Sequence, residues 1–187
     1  MSIDSTEVQS GNKQGIANSL SNLGNVAQYQ GDYAAARTLI EESVTLFREL
    51  EDKLGIANSL GNLGNVAQNQ DDYAAARALY EESMTLFREL EDKQGIADSL
   101  DNFAELAHQE RQERRAAPLW GAATALREGI DAPRSPQEQE RFDREGAIVR
   151  SALGDAAFDA AFAEGGAMTI EQAIDFAVGP PTSERPL

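Results

Sequence analysis

The chain has 187 residues, 32 acidic and 16 basic, with a formal net charge of −16 and no cysteine. Disulfides and thiolate sites are excluded, and so acidic a surface disfavours binding to a phosphate backbone, so no nucleic-acid partner is expected. No stretch approaches the roughly 18 apolar residues of a membrane span, and the polar start MSIDSTEVQS is no secretory signal. A soluble cytoplasmic chain with a polar tail over residues 1–14 is expected.

From residue 15 the sequence repeats. Residues 15–54 align with 55–94 without gaps and match at 33 of 40 positions, and a third copy begins with GIADSLDNFAELAHQ at residue 95 before drifting. Each copy reads as two helices. In the first, Ile16, Leu20, Leu23 and Ala27 fall on one apolar face. Gly31-Asp32, and Asp71-Asp72 in the second copy, then supply a turn and an N-cap. The second helix places Tyr33, Ala36, Ile40, Ser43, Phe47 and Leu50 on one side. Its outer face carries Arg37–Glu41 and Glu49–Lys53 at the spacing of ion pairs within one helix. Gly55 and Gly95 stand where they would break the helix. Gly24, Ala27 and Ala36, with Gly64, Ala67 and Ala76, are small enough for helices to approach closely. Such pairs cannot bury both apolar faces alone, so the copies are expected to stack into an all-α solenoid.

Leu23-Gly24-Ala27-Tyr33-Ala36-Ile40 and Leu63-Gly64-Ala67-Tyr73-Ala76-Tyr80 carry a pattern that resembles the tetratricopeptide repeat. The third copy departs from it, with Phe103-Ala104-Ala107-Ala116-Trp120 and Pro118 early in its second helix. The resemblance implies a right-handed α-solenoid over residues 15–130, in repeats 15–54, 55–94 and 95–130. The forty-residue spacing exceeds the usual 34 and calls for longer helices or a longer connection. Residues 131–178 read as a helical cap. Ser135-Pro136 opens a helix to about 153, a short helix carries Phe158 and Phe162, and a capping box at Thr169–Gln172 opens a last helix to Val178. A loose tail over 179–187 follows. The block from Pro118 to Ala177 is similar to the C-terminal part of large bacterial ATPase transcription regulators of the maltose-activator type. The chain contains no phosphate-binding loop motif.

No catalytic chemistry, metal or cofactor is expected. His108 is the only histidine and, without cysteines, makes no zinc site; it reads as a surface or groove residue. Glu41-Glu42 and Glu81-Glu82 read as solvated charge, Trp120 as core, and the basic island Arg111, Arg114 and Arg115 as a solvated face or turn.

The residues that resist a purely structural reading are asparagines. Asn18, Asn22, Asn25 and Tyr29 share one face of the first helix, repeated as Asn58, Asn62, Asn65 and Asn69 and, altered, as Asp98, Asn102, Glu105 and Gln109. Asparagine is a poor helix former, whereas its amide can pair with both the N–H and the C=O of an extended backbone. These rows are therefore expected to line a concave groove that binds an extended peptide. The resemblance implies the same for Asn25 and Asn65, which stand in the L-G-N position that peptide-binding tetratricopeptide adaptors use. The clamp for C-terminal carboxylates is not expected, since Ser21, Gly61 and Asp101 offer no base. Asp98, Asp101 and Glu105 in the third copy suggest that the partner's Lys or Arg end lies there. Self-association through an uncovered first repeat is a further expectation. The alternative functions are a small-metabolite sensor or a detached fragment of a larger ATPase regulator.

Overall fold

The computed structural model describes residues 5–180, and from the end of the first helix to the close of the third repeat its helices begin and end on a twenty-residue rhythm. Helix α1 is Ser5–Tyr29, α2 Tyr33–Glu49, α3 Lys53–Asn69, α4 Tyr73–Glu89, α5 Lys93–Gln109 and α6 Glu113–Gly129. Three more follow: α7 Pro136–Leu153, α8 Asp155–Gly166 and α9 Ile170–Val178. No strand occurs among the described residues, so the class is all-α, with the consecutive antiparallel pairs of a tetratricopeptide-type solenoid. No helix among them is long and apolar enough to cross a membrane. The parts of the expected terminal tails at residues 1–4 and 181–187 lie outside the described residues, whereas residues 5–14 are helical and extend α1.

The rhythm comes from one connector used repeatedly. Gly31, Glu51, Asp71, Glu91, Arg111 and Asp131 recur every twenty residues, each with positive φ, between 52° and 78°. Behind Gly31, Glu51 and Asp71 the next amide closes a cap five residues back: Asp32 N–H donates to Ala27 C=O at 2.9 Å, Asp52 to Phe47 at 3.0 Å and Asp72 to Ala67 at 3.0 Å. That is the left-handed helix ending with its six-to-one hydrogen bond. The same aspartates then start the next helix, as Asp32, Asp52, Asp72 and Asp92 accept from Ala35, Gly55, Ala75 and Gly95 N–H. The longer repeat thus arises from 17-residue helices on three-residue connectors, with no added loop. Gln112, which replaces the aspartate before α6, makes no side-chain cap.

Gly55 and Gly95 do not end helices, contrary to their expected role; both are buried in the first turn of α3 and α5. At Gly55 the reason is steric: a Cβ would stand 2.3 Å from the Phe47 ring. Gly24 and Gly64 are likewise required by close approach, their would-be Cβ atoms 2.4 Å from Ile40 and 2.3 Å from Tyr80.

The chain divides into two compact units, residues 1–91 and 92–187. In the first, Ala27, Ala36, Ile40, Val44, Leu63 and Val66 form a core with Tyr33, Ala35 and Leu79 packed against it. Buried serines tie the helices: Ser43 Oγ donates to Ala17 C=O and Ser83 Oγ to Ala57 C=O, both at 2.8 Å. The expected Glu49–Lys53 pair within one segment is replaced by pairs between helices. Lys13 meets Glu49 at 3.0 Å, Lys53 meets Glu89 at 2.8 Å and Arg48 meets Glu82 at 3.1 Å. Arg37, expected beside Glu41, donates to Gln70 Oε1 at 3.0 Å. The apolar face expected on α1 is only half used. Of that face Ile16 and Leu23 are 45 and 54% exposed, and Val26 beside it 50%, whereas Leu63 and Val66 of α3 are 6 and 0% exposed against α2.

In the second unit, α8 lies so close to α6 that a Cβ on Gly121 would meet the Phe162 carbonyl at 2.0 Å, and one on Gly165 the Pro118 carbonyl at 1.8 Å. Arg115, expected on a solvated face, is buried instead. Its guanidinium donates to the carbonyls of Phe176, Ala177, Gly179 and Pro180 and so closes the C-terminus of α9.

Candidate peptide-binding face

In the first unit the expected residues lie on two neighbouring helices, α1 and α3. Asn18 and Asn22 of α1 are exposed, Asn25 is half-buried and Tyr29 is 76% exposed. On α3, Asn58 and Asn69 are exposed and Asn62 and Asn65 half-buried. Two of these amides have structural work. Asn62 Nδ2 donates to Ser21 Oγ at 3.2 Å, joining the two helices, and Asn65 Oδ1 accepts from the Tyr80 hydroxyl at 2.7 Å. The same hydroxyl lies 2.7 Å from Gln68 Oε1, so its one proton is shared between two acceptors. In the first copy Ile40 stands where Tyr80 does and offers Asn25 no hydroxyl. The pairs Asn18/Asn58 and Tyr29/Asn69 are thus the ones that present side chains to solvent at equivalent places.

The second unit treats the equivalent face differently. Asp101 and Glu105 are buried, Asp98 and Asn102 half-buried, and Gln109 exposed. The carboxylates are met by the chain's own arginines, where sequence reasoning left room for a partner's. Arg134 clasps Asp101 with two bonds, Nε to Oδ2 at 3.0 Å and a terminal nitrogen to Oδ1 at 2.7 Å. Arg127 Nε donates to Asp101 Oδ2 at 3.1 Å and its terminal nitrogen to Asp98. Arg141 Nε lies 2.9 Å from Glu105 Oε1. Arg134 also stacks over the Phe142 ring at 4.3 Å, and Phe142 meets Trp120 edge-on at 5.7 Å. The small cleft between these side chains is thus walled by opposed charges.

Burial raises the Asp98 carboxyl above its usual range against the pull of Arg127. It pushes Glu105 up to about 8, outweighing Arg141. Glu138 resists burial and is lowered, because the Ser135 backbone and hydroxyl bond to it. His108, expected at the surface or in the groove, is half-buried beside Trp120, ring centres 6.4 Å apart, with Nδ1 4.0 Å from Glu113. Among the described residues no group of three or more His, Asp or Glu side chains could hold a metal ion.

Paired 17-residue helices, glycine and alanine at their crossings and a polar row along successive first helices define a helical-repeat protein. The tetratricopeptide repeat model matches residues 15–89 and 55–128, more than half of the chain, and the protein belongs to that family. No curated protein matches it. Tetratricopeptide repeats are interaction scaffolds that generally bind protein partners.

Proposed function

We propose that the protein is a non-catalytic scaffold that holds an extended peptide segment along the asparagine rows of α1 and α3. The supporting observation is the pairing of exposed Asn18 with Asn58 and Tyr29 with Asn69 on adjacent helices one repeat apart. Each amide offers a donor and an acceptor to a passing main chain, and each bond contributes about 1 kcal/mol net, so several must act together. Because Asp98, Asp101 and Glu105 are already paired with Arg127, Arg134 and Arg141, binding in this reading needs no basic end on the ligand. The likeness of the C-terminal block to bacterial ATPase regulators supports a setting in cytoplasmic signalling or transcription regulation.

The test uses peptides selected from a random display library against the full chain, with affinities measured for wild type and Asn18→Ala/Asn58→Ala. Both positions are exposed, so helicity should hold. Loss of two amide contacts should weaken binding roughly thirtyfold, at about 1 kcal/mol each. Equal affinity for both proteins would sink the reading.

A further inference from the structure

A second surface lies on another side of α1. Ile16, Ser19, Leu23 and Val26 form an exposed stripe on this helix, while Ser59, Leu63 and Val66, three of their four counterparts in α3, are buried. The α3 stripe is covered by α2, through Ala36, Ile40 and Val44, and Ser59 Oγ lies 3.3 Å from Ser43 Oγ. The α1 stripe is therefore a surface of core composition left open to water.

Three observations indicate what covers it. The first is charge. Across the 25 residues of α1 the charged residues are Glu7 and Lys13, in a chain of net charge −16. Two copies repel each other over most of their surface, and least where α1 meets α1. The second is the lack of another complement of the α2 kind among the described residues. Among the described residues each stripe of the α2 kind is already buried: Ala36, Ile40 and Val44; Ala76, Tyr80 and Met84; Ala116 and Trp120. A second copy has no such helix to offer, which leaves α1 itself. The third is symmetry of spacing. A two-fold axis beside position 21, with the helices antiparallel, sets Ile16 opposite Val26 of the other copy and Ser19 opposite Leu23. Large then faces large and small faces large along about 15 Å of helix.

We propose that a second copy of this chain covers the stripe, α1 against antiparallel α1, in an isologous dimer. The interface is apolar between like-charged bodies, so added salt tightens it by screening their repulsion. An interface made of ion pairs would loosen instead.

Sedimentation of the full chain from micromolar to millimolar concentration tests this. Wild type should pass from monomer to dimer, more readily at high salt, and Leu23→Glu/Val26→Glu should remain monomeric with unchanged helicity. The absence of cysteine gives a test of register. A mixture of Ser19→Cys and Leu23→Cys proteins should form a disulfide-linked dimer faster than either alone, while Thr45→Cys, exposed on α2, should not. A wild type that stays monomeric, a dimer indifferent to the glutamates, or cross-linking without preference for the mixture would each overturn the proposal. So would a stripe found covered by a different protein.

Discussion

Asp101 and Glu105 stand where the first two copies have Ser21 or Gly61 and Asn25 or Asn65. Both acids were legible in the sequence as a departure from the asparagine pattern. What they face was not, because Arg127, Arg134 and Arg141 come from 26 to 36 residues further along and reach the acids only when α6 and α7 close over α5. An acid cluster read alone looks like a site for a foreign base; with its arginines it is part of the protein's own packing. The consequence appears in titration. The Glu105 carboxyl lies at about 8 in the fold against an ordinary 4.5, so between those values the folded chain holds a proton that the unfolded chain releases. Stability from this group is full below about 4.5 and is lost as pH rises through about 8. Asp98 and Glu145, both raised by burial, act in the same direction. Glu105→Gln should therefore flatten the fall in stability between mildly acidic and mildly alkaline pH. Urea midpoints measured across that range decide it: equal slopes for the two proteins would contradict the assignment.

At the scale of the element, the N-caps at Asp32 and Asp72, the helix start at Ser135 and the capping box at Thr169 were readable, because a cap is a local arrangement of side chain and nearby amide. The left-handed residue before each cap was less so. Glycine marks it at Gly31, but Glu51, Asp71, Glu91, Arg111 and Asp131 occupy the equivalent places, and glutamate and arginine do not announce positive φ. The glycines that looked like terminators, Gly55 and Gly95, lie four residues further on, inside the next helix. A left-handed conformation costs a non-glycine residue roughly 1–2 kcal/mol. Glu51→Gly should accordingly stabilise the chain by about 1 kcal/mol and Gly31→Ala destabilise it by a similar amount. Thermal denaturation of the two variants would show midpoints moving in opposite directions, and shifts of the same sign would refute this account of the connectors.

For the molecule as a whole, the near-identity of the first two copies separates local from tertiary causes. Leu23 and Leu63 share the asparagine before them and the five residues after them, yet one is exposed and the other packed against α2. In dilute solution, where the chain is monomeric, Leu63→Ala should cost about 2–5 kcal/mol, as a large-to-small change in a core, and Leu23→Ala well under 1 kcal/mol, as for an exposed side chain. Equal costs in equilibrium unfolding would mean that Leu23 is covered in solution. Dilution should then abolish the cost if a second copy is the cover. Hydrophobic period, repeat length, helix caps and the family pattern were determined by sequence alone, since each depends on residues within a turn or two of one another. Which copies of a repeated face are buried, which carboxylates meet arginine and which arginine closes a distant helix were decided only by tertiary structure. Identical segments acquire different environments there, according to what the rest of the chain brings against them.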